Sequence, residues 1–247
     1  MLGSDLIRYL GEGFNITSIN KENYQTFIGK SFDIVVNANG NSKRFWANQN
    51  PQDDFLASTV SVYKSIFDFP SDIYIYVSSP DVYENHTGIE NTKEVQKIYP
   101  ENLSPYGFHK YLSELIVKKY NEKYFILRCS MILGTTLKKG PIYDITQNNP
   151  LHISLKSKLQ FITTHAISKI IEILLEKVPT NKTINVGGID TFSFTRTREF
   201  FNCDVQTLPK TETQVYQLNV EQLKRLYPHL KTSEEYLQEF LKKYHNL

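Results

Sequence analysis

The chain has 247 residues, of which 40% are hydrophobic and 22% charged, enough apolar material for one large domain or a domain with an attached lobe. A formal net charge of +2 is too small to specify a nucleic-acid partner, and none is expected. Two cysteines, Cys129 and Cys203, cannot build a disulfide framework, no apolar run is long enough to span a membrane, and the N-terminus has no secretory pattern, so a cytoplasmic protein is expected.

Along the chain, strand-like and helix-like segments alternate, the pattern of a parallel sheet covered by helices. Asp5–Leu10 reads as a helix that no strand precedes. Asn15–Ile19 is a short strand candidate, and Phe32–Asn37, a continuous apolar run, is a buried strand. Asp54–Phe67 reads as a helix ended by Asp68-Phe69-Pro70, and Ile73–Val77 as a strand rich in β-branched and aromatic residues. Pro105–Lys119 reads as a long helix with Ser104 as N-cap and Pro105 at its first position. Then come a strand at Tyr124–Arg128, a helix at Ala166–Leu175, a strand at Thr183–Val186 stopped by Gly187-Gly188, and a terminal helix at Ser233–Tyr244.

The segment with the most chemistry is Tyr-Val-Ser-Ser-Pro-Asp-Val-Tyr at 76–83, followed by Ser-Pro-Tyr-Gly-Phe-His-Lys at 104–110. The first sets hydroxyls just past the end of a parallel strand, where open α/β sheets bind ligands. The second sets Tyr106 and Lys110 four residues apart on one helix face. An ammonium beside a phenol favours the phenolate and is expected to pull the Tyr106 pKa below the ordinary value of about 10, suiting it to exchange a proton with a substrate oxygen. Taken alone, this spacing also describes an exposed amphipathic pair. The hydroxyl-bearing strand end and the later strand Leu127-Arg128 leading to Gly134 make the combination more specific.

On these residues the chain resembles the extended short-chain dehydrogenase/reductase superfamily, the nucleotide-sugar epimerase, dehydratase and reductase group. The resemblance implies an α/β fold: a Rossmann-like doubly wound parallel sheet, here without its first strand, and a smaller C-terminal substrate lobe. Residues 1–130 would form the dinucleotide-binding domain, with 160–186 returning to it, and residues 131–159 and 187–247 the lobe. It implies NAD or NADP as cofactor, a nucleotide-sugar substrate, and a homodimer built on the Tyr106 helix and the helix Asp54–Phe67. By motif, Ser79, Tyr106 and Lys110 take the catalytic places. Gly3, Asn20, Ala38, Asn39, Gly40, Thr59, Ser78, Cys129 and Ser130, with Tyr106 and Lys110, fall at cofactor-binding positions. Asp81, Tyr83 and Met131 fall at substrate positions.

The departures from the family pattern are specific. Of the family's glycine-rich phosphate loop only Gly3 is matched, and the resemblance places a strand and turn, roughly ten residues, ahead of Met1. Asn20 with Lys21 stands where an acidic residue would grip a ribose hydroxyl, a slight lean toward NADP. Pro80 occupies the central position of the dehydratases' Thr-Asp-Glu, which argues against 4,6-dehydration. The short Asn20–Phe32 segment resembles compact 4-keto sugar reductases, so reduction is the expectation. The alternatives are an epimerase, or a binding protein impaired by the altered phosphate loop. Six scattered histidines and two cysteines have no metal-ligand spacing. Lys138-Lys139 and Lys156–Lys158 could meet a diphosphate, though a solvated basic face is the better explanation of either pair on its own.

Overall fold

The computed structural model describes residues 1–244. Helix α1 (Leu2–Leu10) opens the chain, and the short α2 (Tyr24–Phe27) precedes strand β1 (Phe32–Asn37). Helices α3 (Arg44–Gln49) and α4 (Pro51–Phe55) lead through a π-helical turn, Leu56–Val60, into α5 (Ser61–Asp68). After β2 (Ser71–Ser78) come the long α6 (Pro105–Tyr120), β3 (Tyr124–Cys129), β4 (Met131–Leu133) and α7 (Pro141–Thr146). The remaining elements are β5 (Lys158–Leu159), β6 (Phe161–Thr163), α8 (Thr164–Lys177), β7 (Lys182–Val186), β8 (Phe192–Ser193), α9 (Thr197–Phe201), β9 (Val215–Tyr216), α10 (Glu221–Leu226) and α11 (Ser233–Tyr244).

The main sheet has the order β1-β2-β3-β7, and every pair in it is parallel. In register, Val36 faces Ile75, Ile75 faces Phe125 and Leu127 faces Ile184. Alternation then sorts the side chains. Ile75, Val77, Phe125 and Leu127 pack with Leu6, Leu10, Ile167, Ile170 and Ile171 of α1 and α8. Tyr74, Tyr76 and Ile126 pack on the other face with Val62, Ile66 and Val117 of α5 and α6. Helices on both faces explain why β3 is a continuous apolar run rather than an alternating one. A third cluster, with Leu133, Ile142, Phe161, Phe192, Phe194 and Phe240, organises the small sheets β4-β6 and β8-β5-β9.

Asn15–Ile19 is irregular, not a strand. It has no strand alongside to complete a ladder. An open groove of about 650 Å³, lined by Leu6, Leu10, Ile16, Ile34, Val36 and Ile171 among others, lies between α1, this segment and β1. Backbone groups without a neighbouring strand do not hold a β conformation by themselves. The helix expected at Asp54–Phe67 begins earlier, at Pro51, because proline is pre-shaped for the first helical position, and it passes through the π turn. The terminal helix carries Tyr236, Leu237, Phe240 and Leu241 inward, all buried.

Candidate active site

Parallel pairing brings the carboxyl ends of β1, β2, β3 and β7 to one edge, and Ser78-Ser79 end β2 there. Helix α6 starts directly across from them. Ser104 caps it, accepting from the Gly107 N–H at 3.2 Å, and Pro105 fills the first position, where no amide donor is needed. The Tyr106 N–H donates to Asn48 Oδ1 of α3 at 3.1 Å. A Cβ on Gly107 would lie 2.1 Å from the Asp81 carbonyl oxygen, so glycine alone lets α6 press onto the 80–82 turn. That close approach sets Tyr106 beside Ser79, and all three of Ser79, Tyr106 and Lys110 are buried.

Lys110 Nζ donates to the Val77 carbonyl at 3.3 Å and stands 5.3 Å from the centre of the Tyr76 ring. Its charge and the Ser79 hydroxyl both pull the Tyr106 pKa down, but burial raises it by more, and the Asp81 carboxylate adds to the rise. The phenol therefore sits above its ordinary value, not below it as the Tyr–Lys spacing predicts. Desolvation of the anion outweighs one ammonium.

Several of the predicted residues brace this site from behind. Ser78 turns away from the cleft and donates to Glu114 Oε1 at 2.6 Å. Glu114 holds Arg128 through a two-point pair, with Nε at 2.9 Å and Nη2 at 2.7 Å, and the Arg128 guanidinium lies 4.7 Å from the Tyr83 ring centre. Tyr83 is itself buried and donates to Asn185 Oδ1 at 2.9 Å. Thr59 donates to the His109 carbonyl of α6 at 3.2 Å, and His109 Nδ1 meets Asp54 Oδ2 at 2.7 Å. The structure thus sets the side chains of Ser78, Thr59 and Tyr83 among packing partners rather than beside Tyr106. Met131 lies under Gly140, whose φ of +91° and missing Cβ leave room for the Met131 methyl, and packs with the third cluster.

The residues that could hold a dinucleotide fall into two groups. At the β1 end, Asn39 N–H donates to Asn37 Oδ1 at 2.9 Å and shapes the turn, and Gly40 has a φ of +113°. The space a Cβ would take on Gly40 is 3.5 Å from Lys110 Nζ. Ala38 lines the groove. Cys129 is buried, its thiol pushed up to about 12, which makes it an inert wall rather than a nucleophile. The buried Ser130 hydroxyl has no hydrogen-bond partner among the described residues. The Gly40 turn stands beside the Lys110 ammonium, while the Ser130 hydroxyl lies next to Gly187. At the other end Gly3 lies in the first turn of α1, and Asn20 is occupied by its own turn, accepting from Glu22 N–H at 2.8 Å. Both line the open groove, well formed for neither phosphate nor ribose.

Sequence reasoning missed Asn48, Asp54, His109, Glu114, Arg44 and Tyr216. Glu114 had a readable signal, since Tyr106, Lys110 and Glu114 repeat every four residues on one helix face. Arg44 and Tyr216 had none. They come from distant segments and meet at Asp81, which accepts from the Tyr216 hydroxyl at 2.9 Å and pairs with Arg44 at 3.5 Å.

A parallel sheet with helices on both faces and Ser, Tyr and Lys gathered at its carboxyl edge defines a Rossmann-like α/β protein. Residues 8–187 match the model of the NAD dependent epimerase/dehydratase family, and the chain belongs to that family. A search of curated proteins gave no match. Among solved structures, the fold is similar to dTDP-4-dehydrorhamnose reductase from Bacillus anthracis in complex with NADP, at 16% identity and a TM-score of 0.76, covering 98% of this chain and 94% of that one. RMD from Pseudomonas aeruginosa complexed with NADPH is similar at 13% identity and a TM-score of 0.75, covering 100% and 96%. UDP-N-acetylglucosamine 4-epimerase from Methanobrevibacter ruminantium M1 is similar at 17% identity and a TM-score of 0.72, covering 98% and 94%. At these identities the likeness is one of fold. No helix among the described residues is long and apolar enough to cross a membrane.

Proposed function

We propose that the chain is an NAD(P)-dependent oxidoreductase acting on a nucleotide-activated sugar, and that its reaction is reduction of a 4-keto group. The observation that carries this reading is the convergence of three buried side chains at the sheet's carboxyl edge, with the Ser79 hydroxyl and the Lys110 charge both acting on the Tyr106 phenol. The family is NAD dependent, and two structures similar in fold, dTDP-4-dehydrorhamnose reductase and RMD, are complexes with NADP and NADPH. A bound reduced nicotinamide would supply a hydride to the ketone carbon. Ala38, Asn39, Gly40, Lys110 and Ser130 would hold its ribose end.

In this reading Tyr106 gives its proton to the ketone oxygen as that oxygen gains negative charge. Its raised pKa keeps the phenol protonated and ready to donate at neutral pH, and disfavours the phenolate that the reverse oxidation needs. Lys110 limits the cost of the phenolate left behind. Ser79 donates its one O–H to Asp81 Oδ2 at 2.8 Å and would turn that O–H to the ketone oxygen to steady it. Asp81 would be a substrate contact in this reading, Met131 would contribute from its place under Gly140, and residues 131–159 and 187–247 would form the substrate lobe. NADPH oxidation followed at 340 nm with dTDP-4-dehydrorhamnose tests this. Turnover lost in Tyr106→Phe is the expected result. NADPH-independent interconversion of UDP-glucose and UDP-galactose would replace reduction by epimerisation.

The open groove beside α1 favours a second reading, a member of the family that binds its ligands without turnover. Thermal stabilisation by NADP(H) without any turnover would select it. We also infer that a second copy of the chain packs on the face formed by Leu56, Tyr63 and Phe67 with Phe108, Leu115 and Tyr120 of α6, all large apolar residues left exposed. Sedimentation of Phe67→Glu as a monomer against a wild-type dimer tests that surface.

A further inference from the structure

Charges from both halves of the chain meet in front of Ser79, with Asp81 at the centre. Its Oδ2 accepts from the Ser79 hydroxyl at 2.8 Å and its Oδ1 from the Tyr216 hydroxyl at 2.9 Å. Arg44 reaches the same Oδ1 from α3 with a single nitrogen, Nη1, at 3.5 Å. A guanidinium has five N–H donors and is shaped for a two-point grip on carboxylate or phosphate. Arg44 uses one of them here, in a long contact, with 34% of its side chain open to water. Its orientation is nevertheless set. The guanidinium lies 5.1 Å from the Tyr216 ring centre, Tyr216 stacks on His86 at 3.8 Å, and His86 Nδ1 is tied to the Val215 carbonyl at 2.9 Å.

Positive charge accumulates next to it. Lys139, from the turn before α7, crosses to the other half of the chain and donates to the Ser42 carbonyl at 2.6 Å and hydroxyl at 2.8 Å. Lys43 lies between Ser42 and Arg44, close enough that its charge, together with burial, holds the Lys139 pKa down. Among the described residues neither lysine forms an ion pair, and Asp81 is the one carboxylate that Arg44 pairs with. Arg44 therefore has one long ion-pair contact, to a carboxylate already engaged by two hydroxyls, while Lys139 is bound to Ser42 in the adjoining segment.

We propose that Arg44, with Lys139 bound to the segment that leads into it, is the specificity-determining anion clamp of this site, and that Asp81 is the counter-ion it releases when phosphate or carboxylate oxygens of the substrate arrive. The proposal rests on the nucleotide-sugar reading, in which either the diphosphate or a sugar carboxylate could supply that chemistry. A two-point, charge-assisted contact replaces a single long one. Asp81 keeps the Tyr216 hydroxyl when Arg44 moves, and it holds the Ser79 O–H until a substrate oxygen takes it.

Calorimetric titration of the full chain tests this with three probes: UDP, inorganic pyrophosphate and glucuronate. UDP and pyrophosphate are expected to bind the wild type, Arg44→Gln to weaken both at least tenfold, and Lys139→Gln to weaken both severalfold. Asp81→Asn, which removes the competing carboxylate, is expected to tighten binding severalfold, and Arg44→Gln/Asp81→Asn to bind as weakly as Arg44→Gln. The opposite signs at positions 44 and 81 are what a merely structural role would not give. If glucuronate alone depends on Arg44, the clamp stands and its source is a sugar carboxylate. Equal affinity in Arg44→Gln, weaker binding in Asp81→Asn, or no binding of any probe to the wild type overturns the clamp. These titrations involve no turnover. A chain that binds UDP through Arg44 yet never oxidises NADPH keeps the clamp and loses the reductase reading, and the converse result does the opposite.

Discussion

The two ends of the cleft differ in how they are built. Around Tyr106 most supporting groups are buried and paired: Glu114 with Arg128 and Ser78, His109 with Asp54, and Gly107 pressed against the Asp81 carbonyl. Beside α1 the same sheet ends in an open groove, with an irregular segment facing β1 and Asn20 bonded only within its own turn. A side chain can be held to an ångström only where its neighbours are themselves held. The Tyr106 end is thus preorganised, while the open groove beside α1 is not.

The most severe way to break the contrast is at the acid–base end. Tyr106→Phe is expected to lower turnover by roughly 10²–10⁴-fold while leaving the melting temperature and NADP(H) binding unchanged, as read by steady-state assay and thermal shift. Equal turnover would remove Tyr106 from the mechanism. Next in size is the buried ion pair. Glu114→Ala leaves the Arg128 guanidinium uncompensated, a loss of about 3–5 kcal/mol measurable by urea denaturation. A loss under about 1 kcal/mol would mean that the pair is not the brace described.

Alkaline pH sharpens the comparison. Tyr74 and Tyr83 are pushed up to about 12 by burial, Cys129 likewise to about 12, and Tyr106 is raised in the same direction. A group whose folded pKa is raised contributes its stability fully below the unfolded value and loses it as pH rises through the folded one. Stability should therefore be level up to about pH 9 and fall steadily toward pH 12, and Tyr83→Phe should soften the fall. The same fall in Tyr83→Phe would place the loss elsewhere.

Amide exchange probes the other end. Amides of β1 on the groove side should exchange at least tenfold faster than those of β3, which is paired on both sides. Uniform protection across the sheet would mean that the groove is closed in solution. The smallest expected effect is at the cap of α6: Ser104→Ala should cost about 1 kcal/mol, with a modest fall in turnover because Tyr106 is the second residue of that helix.

Much of this was legible in the residues. The apolar run at Phe32–Asn37 marked β1 to the residue, Ser104-Pro105 marked the start of α6, and SPYxxxK marked two of the three catalytic candidates. Those signals are local: a cap, a proline, a four-residue helical spacing. Asn15–Ile19 misled because strand propensity describes a residue's fit to a pleated surface, and a strand needs a neighbour to pair with. The Tyr106 pKa misled for a related reason. The ammonium four residues away could be read from the sequence, while the burial that outweighs it belongs to the assembled core.

The sequence by itself determined the alternation of strands and helices, the parallel sheet and the Tyr–Lys face, because each follows from periodicity within one segment. Only the tertiary structure decided that Ser78 points to Glu114 while Ser79 points to Asp81, that Thr59 and Tyr83 brace rather than line the cleft, and that Arg44 and Tyr216 meet at one carboxylate. Those outcomes depend on distances between segments far apart in the chain, set by how helices settle on a sheet, and no local pattern encodes them.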